Sequence, residues 1–254
     1  MDDDSFHREP VFPDRPGGRE GDHDLLPMPL ERHRLSVFTL FLLLIFWPIF
    51  SIAFSGDPAE VLEELSVSPI FMVYLPTMAM QWALFLLIVV TARREGGGMR
   101  SLGFRSIRLI DFFWAIAFLL ASNLILSLLA LLLSRFGLII PGEIALILPK
   151  TGLEKFLWVM LSLTAAICEE TAFRGYLITR LRVFGRSGNW ILPVVIASMA
   201  FGTGHLYQGL GGFILLSFYG AMFALLYLKT KTLWPAVIAH FFQDFSALFY
   251  PHQN

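Results

Sequence analysis

The chain is short of cysteine and of charge, and both shortages restrict what it can be. Cys168 is the single cysteine among 254 residues, which excludes an internal disulfide. Charged residues make up 15% of the chain and hydrophobic residues 56%, more apolar side chain than one soluble core of this size needs. The sequence shows no stripe of Lys and Arg with interleaved aromatic residues, which argues against nucleic acid as a partner. The composition indicates a membrane protein.

The apolar residues form continuous runs of about twenty, the length that an α-helix needs to cross a bilayer. A membrane β-barrel would instead show alternating segments of about ten residues. We therefore predict an all-α, polytopic membrane protein with about seven transmembrane helices around a polar intramembrane cavity. The predicted spans are residues 36–55, 69–92, 109–134, 155–179, 190–205, 211–228 and 233–250.

Residues 1–34 differ in composition from the rest of the chain. They are rich in Asp, Arg, Gly, Pro and His and have few large apolar side chains, so we predict a disordered cytoplasmic tail. An acidic start without a basic segment argues against a signal peptide. Residues 35–254 are then one helical membrane domain, whose catalytic core we place at about residues 150–250.

Basic residues precede the first predicted span and follow the second, fourth and sixth. Their positions set the orientation, because Lys and Arg concentrate in cytoplasmic loops. We therefore expect a cytoplasmic N-terminus and an external C-terminus. The residues are Arg32 and Arg34; Arg93, Arg94, Arg100, Arg105 and Arg108; Arg180, Arg182 and Arg186; and Lys229 and Lys231.

Ionisable side chains interrupt the apolar stretch between Ile167 and Phe245. Such groups cost several kcal/mol each in hydrocarbon unless they are paired or wetted, so they mark a candidate functional site. Glu170 and Arg174 are four residues apart and share a helix face, whereas Glu169 is turned about 100° away and needs a different partner. The candidate site residues are Glu169, Glu170, Arg174, His205, His240 and Asp244.

Counting helical rise from the cytoplasmic side places Glu169 at about 15 Å and His240 with Asp244 at about 10 to 17 Å. These similar depths predict a shared cavity. His205 comes out deeper, at about 20 Å or more, and a tilt or a break at Gly202 and Gly204 would bring it closer.

Two histidines and several carboxylates around a wet pocket are suited to activating water. Glu169 fits a general base that later acts as an acid toward the leaving amine. His205 could share the role of general base or bind a metal ion. His240, oriented by Asp244, could donate a hydrogen bond to the oxyanion or be a second metal ligand. The zinc-peptidase pattern H-E-x-x-H is absent. A zinc ion on Glu169, His205 and His240 is therefore compatible with the sequence but not required by it.

Other polar residues within the apolar stretches have simpler interpretations. Asp111, Asn123, Gln81 and Glu154 stand alone near span ends or on helix faces, where structural hydrogen bonding is the favoured interpretation. Cys168 is interpreted as a small buried hydrophobic residue.

Three motifs together resemble the CPBP family of CAAX proteases and bacteriocin-processing enzymes, also called the Abi family. The family pattern E-E-x-x-x-R is matched by Glu169-Glu170-Thr171-Ala172-Phe173-Arg174. F-x-x-x-H is matched by Phe201-Gly202-Thr203-Gly204-His205, and H-x-x-x-N/D by His240-Phe241-Phe242-Gln243-Asp244 after the lead-in Leu233-Trp234-Pro235-Ala236. The resemblance covers roughly residues 150–250, and Ser101-Leu102-Gly103-Phe104 also looks like the family.

The resemblance implies an intramembrane endopeptidase, whose eukaryotic relatives cleave after a prenylated cysteine. Its implied setting is a bacterial or archaeal plasma membrane, with membrane lipid and a peptide or lipidated protein substrate as partners. It also implies that Glu169 and His205 activate water, that His240 and Asp244 stabilise the oxyanion, and that Glu170 and Arg174 support the site. Many relatives have Asn where this chain has Asp244. Members of the family are called metalloproteases, although a glutamate-dependent mechanism without metal has been argued for them.

Two other classes of function stay open from the residues. One is a non-catalytic membrane scaffold or bacteriocin self-immunity protein that uses the same bundle to bind a partner. The other is a proton-coupled carrier that uses Glu169 and the histidines as a relay. The two halves of the sequence do not resemble each other, which counts against a transporter built by duplication.

Overall fold

The computed structural model describes residues 30–185 and 189–249. The predicted tail therefore lies outside the described residues except for residues 30–34, and so does Arg186 of the third basic cluster. The described ranges contain helices, turns and loops and no strand, so the prediction of an all-α fold is confirmed. The helices are α1 Arg34–Ala53, α2 Pro58–Ser66, α3 Ile70–Arg94, α4 Leu109–Ser134, α5 Gly152–Phe184, α6 Ile191–Thr203, α7 Gly209–Thr230 and α8 Trp234–Phe245.

Five stretches among the described residues are long and apolar enough to cross a membrane: α1, α3, α4, α5 and Leu206–Thr230, which contains α7. The chain is thus an integral, multi-pass membrane protein. The other two predicted spans coincide with α6 and α8, which have 13 and 12 residues and are shorter than a full crossing. The predicted count of seven crossings is therefore not confirmed.

The helix α2 was not predicted, because its acidic residues indicated only a charged external loop. Asp57 caps its N-terminus by accepting hydrogen bonds from the backbone N–H groups of Ala59 and Glu60. Leu62 is buried, whereas the acidic side chains Glu60, Glu63 and Glu64 lie on the same short helix. The helix packs against the 3-10 segment Gly142–Ile147 and the segment Leu206–Gln208 that follows His205.

The helix α5 carries the first motif and changes its hydrogen-bonding pattern inside it. It begins with a capping box in which Thr151 and Glu154 satisfy each other's backbone N–H groups. It is α-helical to Glu169, π-helical over Glu170–Ile178 and α-helical again over Thr179–Phe184. Every side chain of the π-helical segment is buried. Single π-helical turns in proteins are frequent at functional sites.

Small residues let α6 and α7 approach closely around α5. A Cβ atom added at Gly202 would lie 2.8 Å from the backbone carbonyl oxygen of Phe213, and one at Gly220 would lie 3.1 Å from Cδ1 of Phe201. Glycine is therefore required at residue 202, and a side chain at residue 220 would be tightly packed against Phe201. The close approach brings the second motif beside the first.

Arg180, predicted as part of a basic loop, lies instead inside α5 and is fully buried. Its Nη2 is 2.7 Å from Oε2 of Glu95, which follows the end of α3. The guanidinium also donates to the carbonyl and the hydroxyl oxygens of Ser101, at 2.8 and 2.9 Å. Tyr176 donates its hydroxyl hydrogen to the other carboxylate oxygen of Glu95 at 3.1 Å. This ion pair attaches α3 and the element at residues 101–104 to α5, the helix that carries the first motif.

Candidate active site

Glu170 is fully buried and is the centre of the polar cluster. Its Oε1 accepts a hydrogen bond from Nη1 of Arg174 at 3.0 Å and another from Nδ1 of His240 at 2.9 Å. Through Oε1 of Glu170, two successive turns of α5 are connected to α8. The shared face predicted for Glu170 and Arg174 is present as a direct contact.

Arg174 extends this connection to two more helices. Its Nη2 donates to the backbone carbonyl of Gly220 in α7 at 3.3 Å. The guanidinium carbon lies 4.4 Å from the ring centre of Phe201 in α6 and 5.1 Å from that of Phe223 in α7. The cation is therefore neutralised by Glu170 and covered by aromatic faces, which is how a buried arginine is stabilised.

His240 presents its second ring nitrogen to two further carboxylates. Its Nε2 is 3.5 Å from Oδ2 of Asp244, one helical turn along α8, and 3.9 Å from Oε2 of Glu169. The His240 side chain is 8% exposed. Because Nδ1 is occupied by Glu170, Nε2 is the ring atom directed toward the other acidic residues.

Glu169 occupies a different environment from its neighbour in sequence. Its partner is Gln81 of α3, whose Nε2 donates to Oε1 of Glu169 at 2.6 Å. The side chain of Glu169 is 22% exposed, whereas that of Glu170 is not exposed at all. The expected need for a partner outside its own helix is met, and Glu169 is the more accessible of the two glutamates.

Asp244 is also partly exposed, at 35% of its side chain. Its backbone carbonyl accepts a hydrogen bond from Nε1 of Trp158 in α5 at 2.9 Å. The indole fixes the end of α8 against α5, so that the Asp244 carboxylate stays beside His240.

His205 adjoins the cluster through its contacts with Phe201. The helix α6 ends at Thr203, close to the glycines where a break was expected, and His205 follows Gly204. Its Nδ1 donates to the carbonyl of Phe201 at 3.2 Å, which leaves Nε2 as an acceptor. The His205 ring centre lies 5.0 Å from that of Phe201, whose ring also covers the Arg174 guanidinium. The structure thus joins five of the predicted site residues by side-chain contacts and places His205 at their margin.

Tyr207 is a further side chain at this margin that the sequence did not single out. Its ring centre lies 6.3 Å from that of His205, and its hydroxyl oxygen accepts a hydrogen bond from Nε2 of Gln208 at 2.9 Å. A tyrosine two residues after the motif histidine is the only signal that the sequence offered.

The donor set does not fit a metal ion in this arrangement. Across residues 30–185 and 189–249, no three His, Cys, Asp or Glu side chains are grouped so that they hold a metal. Nδ1 of His240 is bound by Glu170 and Nδ1 of His205 by a backbone carbonyl, so the two Nε2 atoms are the ring atoms left as possible ligands. The predicted zinc ligands Glu169, His205 and His240 are therefore not assembled as a coordination sphere, and no step below is routed through a metal.

Two residues that support the site were not identified from the sequence. Gln81 was interpreted as a structural group on a helix face, and Trp158 was not singled out. A glutamine inside an apolar span was itself a signal, because intramembrane polar side chains need partners. Nothing in the sequence indicated that Trp158 binds a backbone carbonyl 86 residues away.

A family model matches the part of the chain that carries the candidate residues. The family described as Type II CAAX prenyl endopeptidase Rce1-like matches residues 151–246, which contain all six candidate residues. No curated protein and no solved structure matches the chain. The recognition of a CAAX protease family from the three motifs is confirmed, since residues 151–246 match the model of that family.

Proposed function

We propose that the chain hydrolyses a peptide bond near the C-terminus of a membrane-associated or lipidated peptide or protein, with water activated by Glu169 and His205. One observation carries the proposal. A partly exposed Glu169 carboxylate faces His240, while the adjacent Glu170 is fully buried as the partner of Arg174 and His240. A purely structural cluster would gain nothing from keeping one carboxylate accessible to water inside a bundle of apolar helices.

Glu169 is placed to move protons to and from the reacting groups. Its carboxylate accepts a proton from a bound water as the water oxygen attacks the scissile carbonyl carbon. The same proton then passes to the amide nitrogen of the leaving group as the C–N bond breaks. His205 contributes its Nε2 lone pair to the same water, since its Nδ1 is fixed by Phe201.

His240 is placed to stabilise the negative charge that develops on the carbonyl oxygen. With Nδ1–H bound by Glu170, the doubly protonated imidazolium ring directs its Nε2–H to the space between Glu169 and Asp244. A pre-oriented donor at a developing oxyanion contributes about 100- to 1,000-fold to such reactions. Arg174 does not reach this space, and its part is to neutralise Glu170.

The location of the site supports a substrate that approaches through the lipid. Five of the six candidate residues lie on helices whose outer faces carry large exposed hydrophobic side chains, as in Phe156 of α5 and Phe242 of α8. A substrate anchored by a lipid or an apolar segment would be concentrated in the same layer as the site. We propose the orientation with the basic loops and the N-terminus in the cytoplasm of a bacterial or archaeal cell.

The test uses the full chain in liposomes with a fluorogenic, farnesylated Cys-a-a-X peptide and the same peptide without the farnesyl group. We expect Glu169→Gln and His205→Ala to lower kcat/KM by about 100-fold or more, because general base catalysis contributes about 100- to 10,000-fold. Glu154→Gln, at the start of the same helix, is the matched control and should keep the wild-type rate. Wild-type rates in both site variants would overturn the proposal.

The two peptides separate the substrate classes. Cleavage of only the farnesylated peptide would identify a prenylated substrate. Equal cleavage of both would indicate that membrane proximity is enough, and no cleavage of either by the wild-type chain would contradict the CAAX-type specificity.

A further inference from the structure

Gln81 is a buried side chain that reaches the active site from outside the family domain. It lies on α3, is 7% exposed and donates a hydrogen bond of 2.6 Å to Oε1 of Glu169. The family match begins at residue 151, so nothing in the match assigns a role to Gln81. The two residues are 88 positions apart in sequence.

The backbone of α3 is fixed independently of this hydrogen bond. The next residue, Trp82, donates its indole N–H to Oγ1 of Thr164 in α5 at 3.1 Å. Nearer the two ends of α3, Tyr74 donates to the carbonyl of Ile147 at 2.7 Å, and the hydroxyl oxygens of Thr91 and Thr39 are 3.0 Å apart. The carboxamide of Gln81 is therefore presented to Glu169 from a fixed position.

The second polar atom of Gln81 distinguishes a role in the site from a purely structural one. Its Oε1 is buried and has no hydrogen-bond partner among the described residues. A buried acceptor without a partner costs about 1 to 3 kcal/mol, so a glutamine kept only to join two helices would be expected to pair both ends. The carboxamide is therefore held at its nitrogen end by Glu169, which is its hydrogen-bond partner among the described residues.

We propose that Gln81 is a positioning residue for the general base. By holding Oε1 of Glu169, it keeps Oε2 directed toward His240, from which it is 3.9 Å distant, and toward the accessible side of the cluster. An unrestrained glutamate side chain would lose this orientation, and a displacement of about 1 Å from the productive geometry can cost about 100-fold in rate. The proposal rests on the proposed function, since it requires Glu169 to act on a bound water.

The variant that tests the proposal is Gln81→Met, which keeps the length and volume of the side chain and removes both polar atoms. Its matched control is Trp82→Phe, which removes the adjacent α3–α5 hydrogen bond without touching Glu169. With the farnesylated peptide in liposomes, we expect Gln81→Met to lower kcat by about 10- to 100-fold with KM unchanged. Trp82→Phe should keep the wild-type kcat, although both variants lose a helix-to-helix hydrogen bond.

The outcomes separate this proposal from the proposed function. A wild-type kcat in Gln81→Met, together with a large loss in Glu169→Gln, would overturn the role of Gln81 and leave the peptidase proposal standing. A wild-type rate in Glu169→Gln would overturn the peptidase proposal itself. An equal loss of kcat in Gln81→Met and Trp82→Phe would show that Gln81 only holds the helices together.

A second measurement needs no substrate. Labelling of Glu169 by dicyclohexylcarbodiimide in liposomes, read by mass spectrometry of the peptide that contains it, reports how freely the carboxyl group reacts. We expect faster labelling in Gln81→Met than in the wild type, because the amide covers Oε1, and no change in Trp82→Phe. Equal labelling rates in the wild type and Gln81→Met would overturn the proposal.

Discussion

His240 donates its Nδ1 hydrogen to Glu170 at 2.9 Å, and the oxygen that accepts it also accepts from Arg174 at 3.0 Å. This relationship divides the two consecutive glutamates between two roles. Glu170 is buried and fixes a cation and an imidazole ring, whereas Glu169 is 22% exposed and bound through one oxygen to Gln81. The change from α-helix to π-helix occurs between these two residues.

The division predicts different consequences for the same substitution at the two glutamates. Glu170→Gln leaves Arg174 without a counter-charge in the core, and breaking a buried ion pair costs about 3 to 5 kcal/mol. We expect a lowered thermal unfolding midpoint in detergent, together with loss of peptide cleavage. Glu169→Gln should lose cleavage with little change in the midpoint. Equal destabilisation by the two variants would contradict the division.

Asp244 should tolerate an amide but not a methyl group. Asn keeps an oxygen at the position that lies 3.5 Å from Nε2 of His240, whereas Ala removes it. Hydrogen bonds to charged groups contribute about 1.5 to 3 kcal/mol, so we expect Asp244→Ala to lower kcat/KM by about 10-fold or more. Asp244→Asn should stay within about tenfold of the wild type. Steady-state cleavage in liposomes measures both, and a larger loss for Asn than for Ala would contradict an orienting role.

Tyr207 offers a test of the margin of the site. Its hydroxyl oxygen accepts from Gln208, so its own hydrogen is available to a substrate carbonyl. Tyr207→Phe removes only this hydroxyl group, and we expect a loss of about 3- to 10-fold in kcat/KM, the effect of one hydrogen bond of about 0.5 to 1.5 kcal/mol. Tyr227→Phe, which removes a buried hydroxyl group away from the cluster, is the control for loss of a hydroxyl group alone. Equal effects of the two substitutions would assign Tyr207 no special part.

Hydropathy predicted the fold class and the position of every long helix, because apolar length decides whether a helix can cross a bilayer. It could not predict the helix α2, whose acidic side chains lower its hydropathy, nor the π-helical segment Glu170–Ile178, since composition does not report the hydrogen-bonding pattern. Arg180 counted as a marker of a basic loop. Its burial depends on Glu95, which is 85 residues away.

The candidate site was predictable where its contacts are local. Glu170 with Arg174 and His240 with Asp244 are four residues apart on single helices, so helical geometry alone places them together. The contacts of Glu169 with Gln81 and of Asp244 with Trp158 join different helices and depend on tertiary packing. The position of His205 beside the cluster depends on where α6 ends. The glycines Gly202 and Gly204 suggested a break in the helix but did not determine where it ends.

Gly175 should tolerate no larger side chain. A Cβ atom there would collide with the backbone carbonyl oxygen of Leu102. This oxygen cannot move easily, because the carbonyl of the next residue, Gly103, accepts a hydrogen bond from the backbone N–H of Leu233. We expect Gly175→Ala to destabilise the fold by about 1 to 3 kcal/mol, the usual cost of overpacking, and to lower cleavage by displacing Arg174. Gly152→Ala, where a Cβ atom would meet nothing within 4 Å, is the matched control. Thermal unfolding in detergent compares them, and equal midpoints would contradict the close approach.

The buried pair of Glu95 and Arg180 gives the last prediction. Both side chains are fully buried, with Nη2 and Oε2 2.7 Å apart, so either substitution alone leaves an uncompensated charge. We expect Glu95→Gln and Arg180→Met each to lower the free energy of unfolding by about 3 to 5 kcal/mol. The double variant should lose less than the sum of the two, because no unpaired charge remains. Additive losses in a double-mutant cycle, measured by thermal unfolding in detergent, would show that the two residues act separately. Arg180 would then be held mainly by the carbonyl and hydroxyl oxygens of Ser101.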